Sequence, residues 1–261
     1  MATTGSDTNT GIYANNYTSG WVQGDSKHPG SMQHHAVQFP YSIGGRQFFY
    51  GQNLIDRSWY TRELLAGGKM DPEKAASIWG SPYKIQFPFT IGDRVFFYGQ
   101  DQGSKRWFIQ ELLPDGKMGG SETASGSWGS AYGVQFPFTV GGRVFFYGQN
   151  LESHYWFIQE LLPDGKMGSE TAKGFWNNAY AVQFPFTLGN RVFLYGQNQD
   201  SAYWFIQELL PYGKMGSETD NGHWSRCYNI QFPFTIGSDV FYYGLDVKTN
   251  HWFIQRLIQR V

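Results

Sequence analysis

The sequence predicts an all-β protein, a five-bladed β-propeller closed by its N-terminal strand. Three observations predict it. One motif recurs five times at near-constant spacing, each repeat alternates with period two, and the last repeat lacks a piece that the start of the chain resembles.

The run Gln-Phe-Pro recurs with its Phe at 39, 87, 136, 184 and 232, at spacings of 48, 49, 48 and 48 residues. Trp59, Trp107, Trp156, Trp204 and Trp252 keep the same spacings. Trp79, Trp128, Trp176 and Trp224 fall between units, and Trp21 precedes the first. The units run approximately 22–79, 80–128, 129–176, 177–224 and 225–261, within one propeller domain spanning 1–261.

In the second unit, a first strand is expected over about Tyr83–Ile91, ending in the hairpin turn Gly92-Asp93. A second strand follows over about Arg94–Gly99, and a third over about Trp107–Leu113. Pro114-Asp115-Gly116 reads as a turn with glycine where φ is positive, followed by a short fourth strand near Lys117 and Met118. Arg46, Arg94, Arg143 and Arg191 each stand 17 residues before a glutamate (Glu63, Glu111, Glu160, Glu208). In the fifth unit the signs exchange, with Asp239 standing 17 before Arg256. Opposite charges that swap together belong to one cross-strand pair. That register sets Phe96 opposite Ile109 and makes both faces of the sheet apolar, so each sheet must lie between neighbours.

The fifth unit stops without a Pro-Asp-Gly turn. Residues 11–21 resemble the missing strand, since Tyr17-Thr18-Ser19-Gly20-Trp21 echoes the end of the second unit, and are expected to complete the ring. The proline of each Gln-Phe-Pro run, which has no ladder donor, puts the first strand at an edge.

Composition narrows function. Lys and Arg number 20 against 21 Asp and Glu, so nothing holds a phosphate backbone and nucleic acid is not the expected partner. Cys227 is the lone cysteine, so no internal disulfide can form. No apolar stretch is long enough for membrane insertion, and the first residues lack a signal-peptide pattern. A cytoplasmic protein, or one released without a classical signal peptide, is expected. His34-His35 is the only histidine cluster and reads as a solvated loop; no metal or other cofactor is expected. Asn16-Tyr17-Thr18 is a glycosylation sequon read as chance.

Outside the core, the segment joining the units barely varies. It contains Lys117, Lys166 and Lys214; Glu122, Glu170 and Glu218; Thr123, Thr171 and Thr219; the tryptophans named above; and Tyr132, Tyr180 and Tyr228. The first unit departs, with Met70-Asp71-Pro72-Glu73-Lys74 before Trp79; Glu73 takes the place of the glutamate. Aromatic faces stack on sugar rings while Glu, Lys and Thr bond hydroxyls, so these residues, with Trp21, form the candidate ligand-binding set.

The phrase Gly-Arg-Val-Phe-Phe-Tyr-Gly-Gln (142–149), with five units and tryptophan-rich joints, resembles the small β-propeller lectins of tachylectin-2-like and tectonin-like architecture. The resemblance implies a non-enzymatic multivalent lectin or agglutinin for glycans or glycoproteins, with similar sugar sites between adjacent blades. A protein-interaction scaffold is the alternative. A glycosidase needs a unique carboxylate pair, and five near-equivalent units offer none.

Overall fold

The structure, a computed structural model, describes residues 2–12, 35–66 and 69–259. These residues form twenty strands and no helix. Blade 1 contains β2 (His35–Ile43), β3 (Arg46–Asn53), β4 (Ser58–Leu65) and β5 (Lys69–Ile78). Blade 2 contains β6 (Ile85–Ile91), β7 (Arg94–Gln100), β8 (Arg106–Leu112) and β9 (Met118–Ser127). Blade 3 contains β10 (Val134–Val140), β11 (Arg143–Gln149), β12 (Tyr155–Leu161) and β13 (Met167–Phe175). Blade 4 contains β14 (Val182–Leu188), β15 (Arg191–Gln197), β16 (Tyr203–Leu210) and β17 (Lys214–His223).

Blade 5 contains β18 (Ile230–Ile236), β19 (Asp239–Asp246) and β20 (His251–Gln259), completed by β1 (Ala2–Ile12). The five four-stranded antiparallel sheets make a five-bladed β-propeller whose last blade is closed by the N-terminal strand. β1 pairs with β20 from Ala2 opposite Gln259 to Ile12 opposite His251. Residues 13–21, Trp21 among them, lie outside the described residues, as do the sequon at Asn16 and the histidine His34.

By backbone proximity the chain forms two compact units. One takes Gly20–Ala131 with Leu161–Gly168, and so holds blades 1 and 2. The other takes Met1–Ser19, Tyr132–Glu160 and Ser169–Val261, and so holds most of blade 3 with blades 4 and 5.

In the first unit the core gathers Tyr41, Phe48, Tyr50, Trp59, Phe97 and Phe108 from blades 1 and 2. Adjacent residues such as Phe96 and Phe97 point to opposite faces, yet both are fully buried. That is the expected burial of a sheet apolar on both sides. Each such side chain contributes roughly 1.5–3 kcal/mol when it leaves water.

The cross-strand register differs from the expected one by two residues. Phe96 faces Glu111 and Tyr98 faces Ile109. A shift of two keeps every side chain on its face, so the burial pattern survives while the partners change. Arg94 therefore reaches its glutamate diagonally: Nε donates to Glu111 Oε1 at 2.8 Å and Nη2 to Oε2 at 2.6 Å. Its guanidinium also covers the Phe96 ring at 4.8 Å. Arg46–Glu63, Arg143–Glu160 and Arg191–Glu208 repeat the pair, and Arg256–Asp239 repeats it with the signs exchanged, at 2.5 Å.

The turn between the third and fourth strands of blade 2 hooks onto blade 1. Gly116 O accepts from Thr61 Oγ1 at 2.7 Å and from Tyr41 OH at 3.3 Å, and Pro114 O accepts from Arg46 Nη1 at 3.0 Å. Gly116 has φ 84°, and a methyl group on it would overlap the Phe48 ring. Gly92, at φ 63°, has nothing within 4 Å of such a methyl.

Gly116→Ala is expected to cost about 3–4 kcal/mol, from left-handed strain and overpacking together, and Gly92→Ala only about 1–2 kcal/mol from strain alone. Urea unfolding of the two variants measures the difference; equal losses would show that the turn does not dock on Phe48.

Bonds from the arginines hold Glu63, Glu111 and Glu208 below the usual carboxylate range. A carboxylate depressed on folding contributes stability that is present above its unfolded value, about 4.3, and lost as pH falls through the folded value. The urea midpoint is therefore expected to fall as pH drops below about 4.3, and Glu208→Gln to make that acid loss shallower. An unchanged acid slope would remove this pair from the acid response.

Candidate functional site

The conserved-looking joint segment is a strand, not a loop. β9 extends over Met118–Ser127, so Lys117 lies just before it and Trp128 just after it. Across the sheet they stand opposite Leu113 and Lys105, so at a rise of about 3.3 Å per residue they sit at opposite ends of the blade, roughly 25 Å apart. Lys166 and Trp176 flank β13 in the same way, and Lys214 and Trp224 lie at opposite ends of the β17 stretch. The lysine and tryptophan of one segment therefore share no pocket.

The lysines are used locally. Lys117 and Lys166 pair with Asp115 and Asp164 at 2.8 Å, and Lys214 donates to the Thr171 carbonyl. The threonines bond backbone: Thr171 Oγ1 donates to Ile158 O at 3.2 Å and Gly213 O at 2.8 Å, and Thr219 Oγ1 to Ile206 O at 3.2 Å. Thr123 is half-buried at the corresponding place.

Trp79, Trp176 and Trp224 wedge between blades. Trp79 Nε1 donates to Tyr50 OH at 2.8 Å, and its ring lies parallel to Phe97 of the next blade at 6.0 Å. Trp128, Trp176 and Trp224 make the same bond to Tyr98, Tyr147 and Tyr195 at 2.8–2.9 Å. Tyr132, Tyr180 and Tyr228 are buried, each edge-on to a phenylalanine of the blade that follows it. These rings hold joints together, and their N–H groups are already spent.

The structure does bring each glutamate to the first residue of the neighbouring strand. Glu122 pairs with Arg106 at 2.6 Å. Glu170 accepts from Tyr155 OH at 3.2 Å and pairs with Lys173 at 2.9 Å. Glu218 accepts from Tyr203 OH at 3.4 Å and from Asn221 Nδ2 at 2.5 Å. Burial, with Glu218 beside it, pushes the Tyr203 phenol up to about 12. Arg106, Tyr155 and Tyr203 border the loop that differs most between units, so no repeat pointed to them.

Blade 1 breaks the pattern. In blade 2, Leu112 faces Met118, and a methyl on the next residue, Gly119, would stand 3.2 Å from Glu111 O. In blade 4 a methyl on Gly216 would stand 3.0 Å from Glu208 O and 3.3 Å from its Cβ. In blade 1, Leu64 faces Met70, so Asp71 takes this place beside Glu63. One ammonium serves both carboxylates: Lys74 Nζ lies 3.6 Å from Glu63 Oε2 and donates to Asp71 Oδ2. Arg46 holds the other side of Glu63, with Nε donating at 2.8 Å. The Asp71 bond, more than the nearby Glu63, raises the Lys74 ammonium above its ordinary value. Glu73 stands 3.8 Å from Arg62, whose guanidinium covers Tyr60 at 5.2 Å. The sequence signal is the Asp-Pro-Glu-Lys run, by which the first unit departs from the others.

The first strands of the five blades contain no Asp or Glu. Among the described residues no group of three or more His, Cys, Asp or Glu is placed to hold a metal ion.

No protein-family model matches the sequence, and no characterised protein matches it by sequence. Solved structures do match the fold. An exo-β-1,3-galactanase from Phanerochaete chrysosporium, in complex with β-1,3-galactotriose, matches with TM-score 0.58 at 12% identity, over 96% of this chain and 64% of its own. A family-43 β-1,3-galactosidase matches with TM-score 0.56 at 11% identity, over 84% of this chain and 55% of its own. A thermostable family-43 glycoside hydrolase matches with TM-score 0.53 at 11% identity, over 88% and 93%. The chain thus spans under two thirds of the length of the galactanase and the galactosidase, and at these identities the likeness is one of fold. It corrects two expectations nonetheless. These three propellers are glycoside hydrolases and not lectins, which overturns the reading as a non-enzymatic lectin or agglutinin with sugar sites repeated between blades. The physical counterpart is the extended outer strand, which separates the residues those sites required. The scaffold alternative gains no better support.

Proposed function

We propose that this chain is a carbohydrate-active propeller that cleaves a β-linked, galactan-type glycan. The observation that carries the reading is the fold shared, over nearly the whole chain, with an exo-β-1,3-galactanase in complex with galactotriose. The resemblance to tachylectin-2-like and tectonin-like propellers is kept as a proposal about architecture alone.

Within the chain, support comes from the break in five-fold repetition. Glycoside hydrolysis needs two carboxyl groups with different roles, about 5–5.5 Å apart for retention or about 6.5–9.5 Å for inversion. Blades 2 and 4 offer one glutamate facing a glycine, whereas blade 1 offers Glu63 and Asp71 on a shared ammonium. Arg46, and after it Lys74, keep Glu63 ionised, which suits a base or nucleophile and not a proton donor. Asp71 is the proposed second carboxyl. Both are only partly exposed, which suits a group that must act on a bound substrate.

The test is incubation of the full chain with β-1,3-linked galacto-oligosaccharides and a panel of other β-linked glycans, with released sugar measured. Release is expected. Asp71→Asn and Glu63→Gln are each expected to reduce it by about 100-fold or more, while Glu208→Gln leaves it unchanged. Absence of both cleavage and retention for every glycan tested would end the proposal. Cleavage that survives both blade-1 substitutions would remove the blade-1 pair from it.

A further inference from the structure

Three blade joints contain a carboxamide pair that repeats with the fold. Gln86 Nε2 donates to Gln52 Oε1 and to the Tyr83 carbonyl. Gln183 Nε2 donates to Gln149 Oε1 and, at 2.6 Å, to Tyr180 O. Gln231 Nε2 donates to Gln197 Oε1 and to Tyr228 O. Gln52, Gln149 and Gln197 are fully buried. In every pair two atoms remain unspent: the Nε2 of Gln52, Gln149 or Gln197, and the Oε1 of Gln86, Gln183 or Gln231.

Amide orientation does not remove these orphans. Two carboxamides that make one mutual bond always leave one donor and one acceptor. Reversing both would also turn an amide oxygen toward the tyrosine carbonyl, which needs a donor. A buried donor or acceptor left alone is costly, and the same cost would recur three times.

We infer that each of these joints is a built site for one internal water molecule, bridging the two glutamines. The orphans select the ligand. A cation would satisfy only the oxygen and an anion only the nitrogen, whereas water accepts from Nε2 and donates to Oε1 at once. One buried water per ~27 residues, each making about three hydrogen bonds, is ordinary for a folded protein, so three repeated sites are well within what a chain this size holds.

A crystal structure of the full chain at a resolution that orders water tests this directly. The expected result is density in all three joints, within about 2.7–3.2 Å of both orphan atoms. Glutamines whose free amide groups meet each other or another protein atom, with nothing between them, would overturn it. In solution, oxygen-17 relaxation of the solvent counts long-lived internal waters. Gln149→Leu/Gln183→Leu, which removes donor and acceptor together, is expected to lose one water from that count. An unchanged count in the folded variant would overturn the inference as surely as empty density.

Discussion

The central blades are apolar on both faces, and much of the structure follows from what that requires. A sheet with Phe96 on one side and Phe97 on the other cannot stand in water, so it must be covered twice. Once the faces are covered, the joints are dry, and each polar atom inside them needs a partner of its own. Tryptophan indoles give their N–H groups to buried tyrosines at 2.8–2.9 Å, turn carbonyls accept from Thr61 or Thr171, and the guanidinium of an arginine lies on the same phenylalanine that its turn glycine must clear. These devices recur because the joint recurs.

Repetition therefore points first to packing and only then to chemistry. A side chain kept at one place in several units is explained when that place is a joint, as it is for Trp79, Trp176 and Trp224 and for Tyr180 and Tyr228. What repetition does not explain is a departure that gathers charge. Thr171 of blade 3 bonds the Gly213 carbonyl from the fourth strand; in blade 1 Thr61 of the third strand does the same for Gly116, which frees the fourth-strand position for Lys74. Asp71 stands where the other blades place Gly119 and Gly216 close against a glutamate. The two exchanges are coupled, since an aspartate beside Glu63 without an ammonium between them would be repelled.

Much of the fold was legible because period two, glycine turns and exchanged charges each fix geometry on their own. The Arg–Glu spacing gave the correct pair and faces, but a register two residues off, because a long arginine reaches a diagonal neighbour as well as a direct one. The fourth strand was misjudged for a different reason. Met-Gly-Ser-Glu-Thr-Ala lacks apolar alternation and has Thr171 as its one β-branched residue, since its outer edge is wet along its length, and so it reads as a loop. A loop would let Lys117 and Trp128 meet, whereas the strand holds them apart. The Tyr155–Glu170 and Tyr203–Glu218 contacts were illegible because each tyrosine begins a strand at the edge of a divergent loop.

The fifth blade separates the two kinds of charge in this molecule. Asp239 and Arg256 exchange signs with their equivalents and the diagonal pair still forms at 2.5 Å, so the pair's function in the blade does not depend on which strand carries the carboxylate. A proton-transfer role has no such freedom, because only a carboxyl can give or take the proton at a fixed place. The repeated glutamates thus answer to packing and electrostatic complementarity. Asp71 is not part of that exchange: no other blade has an acid there, Lys74 holds it against Glu63, and the fold around it would close equally well over a glycine. A residue that the fold does not need, placed where the fold tolerates it, is the one whose presence chemistry has to explain.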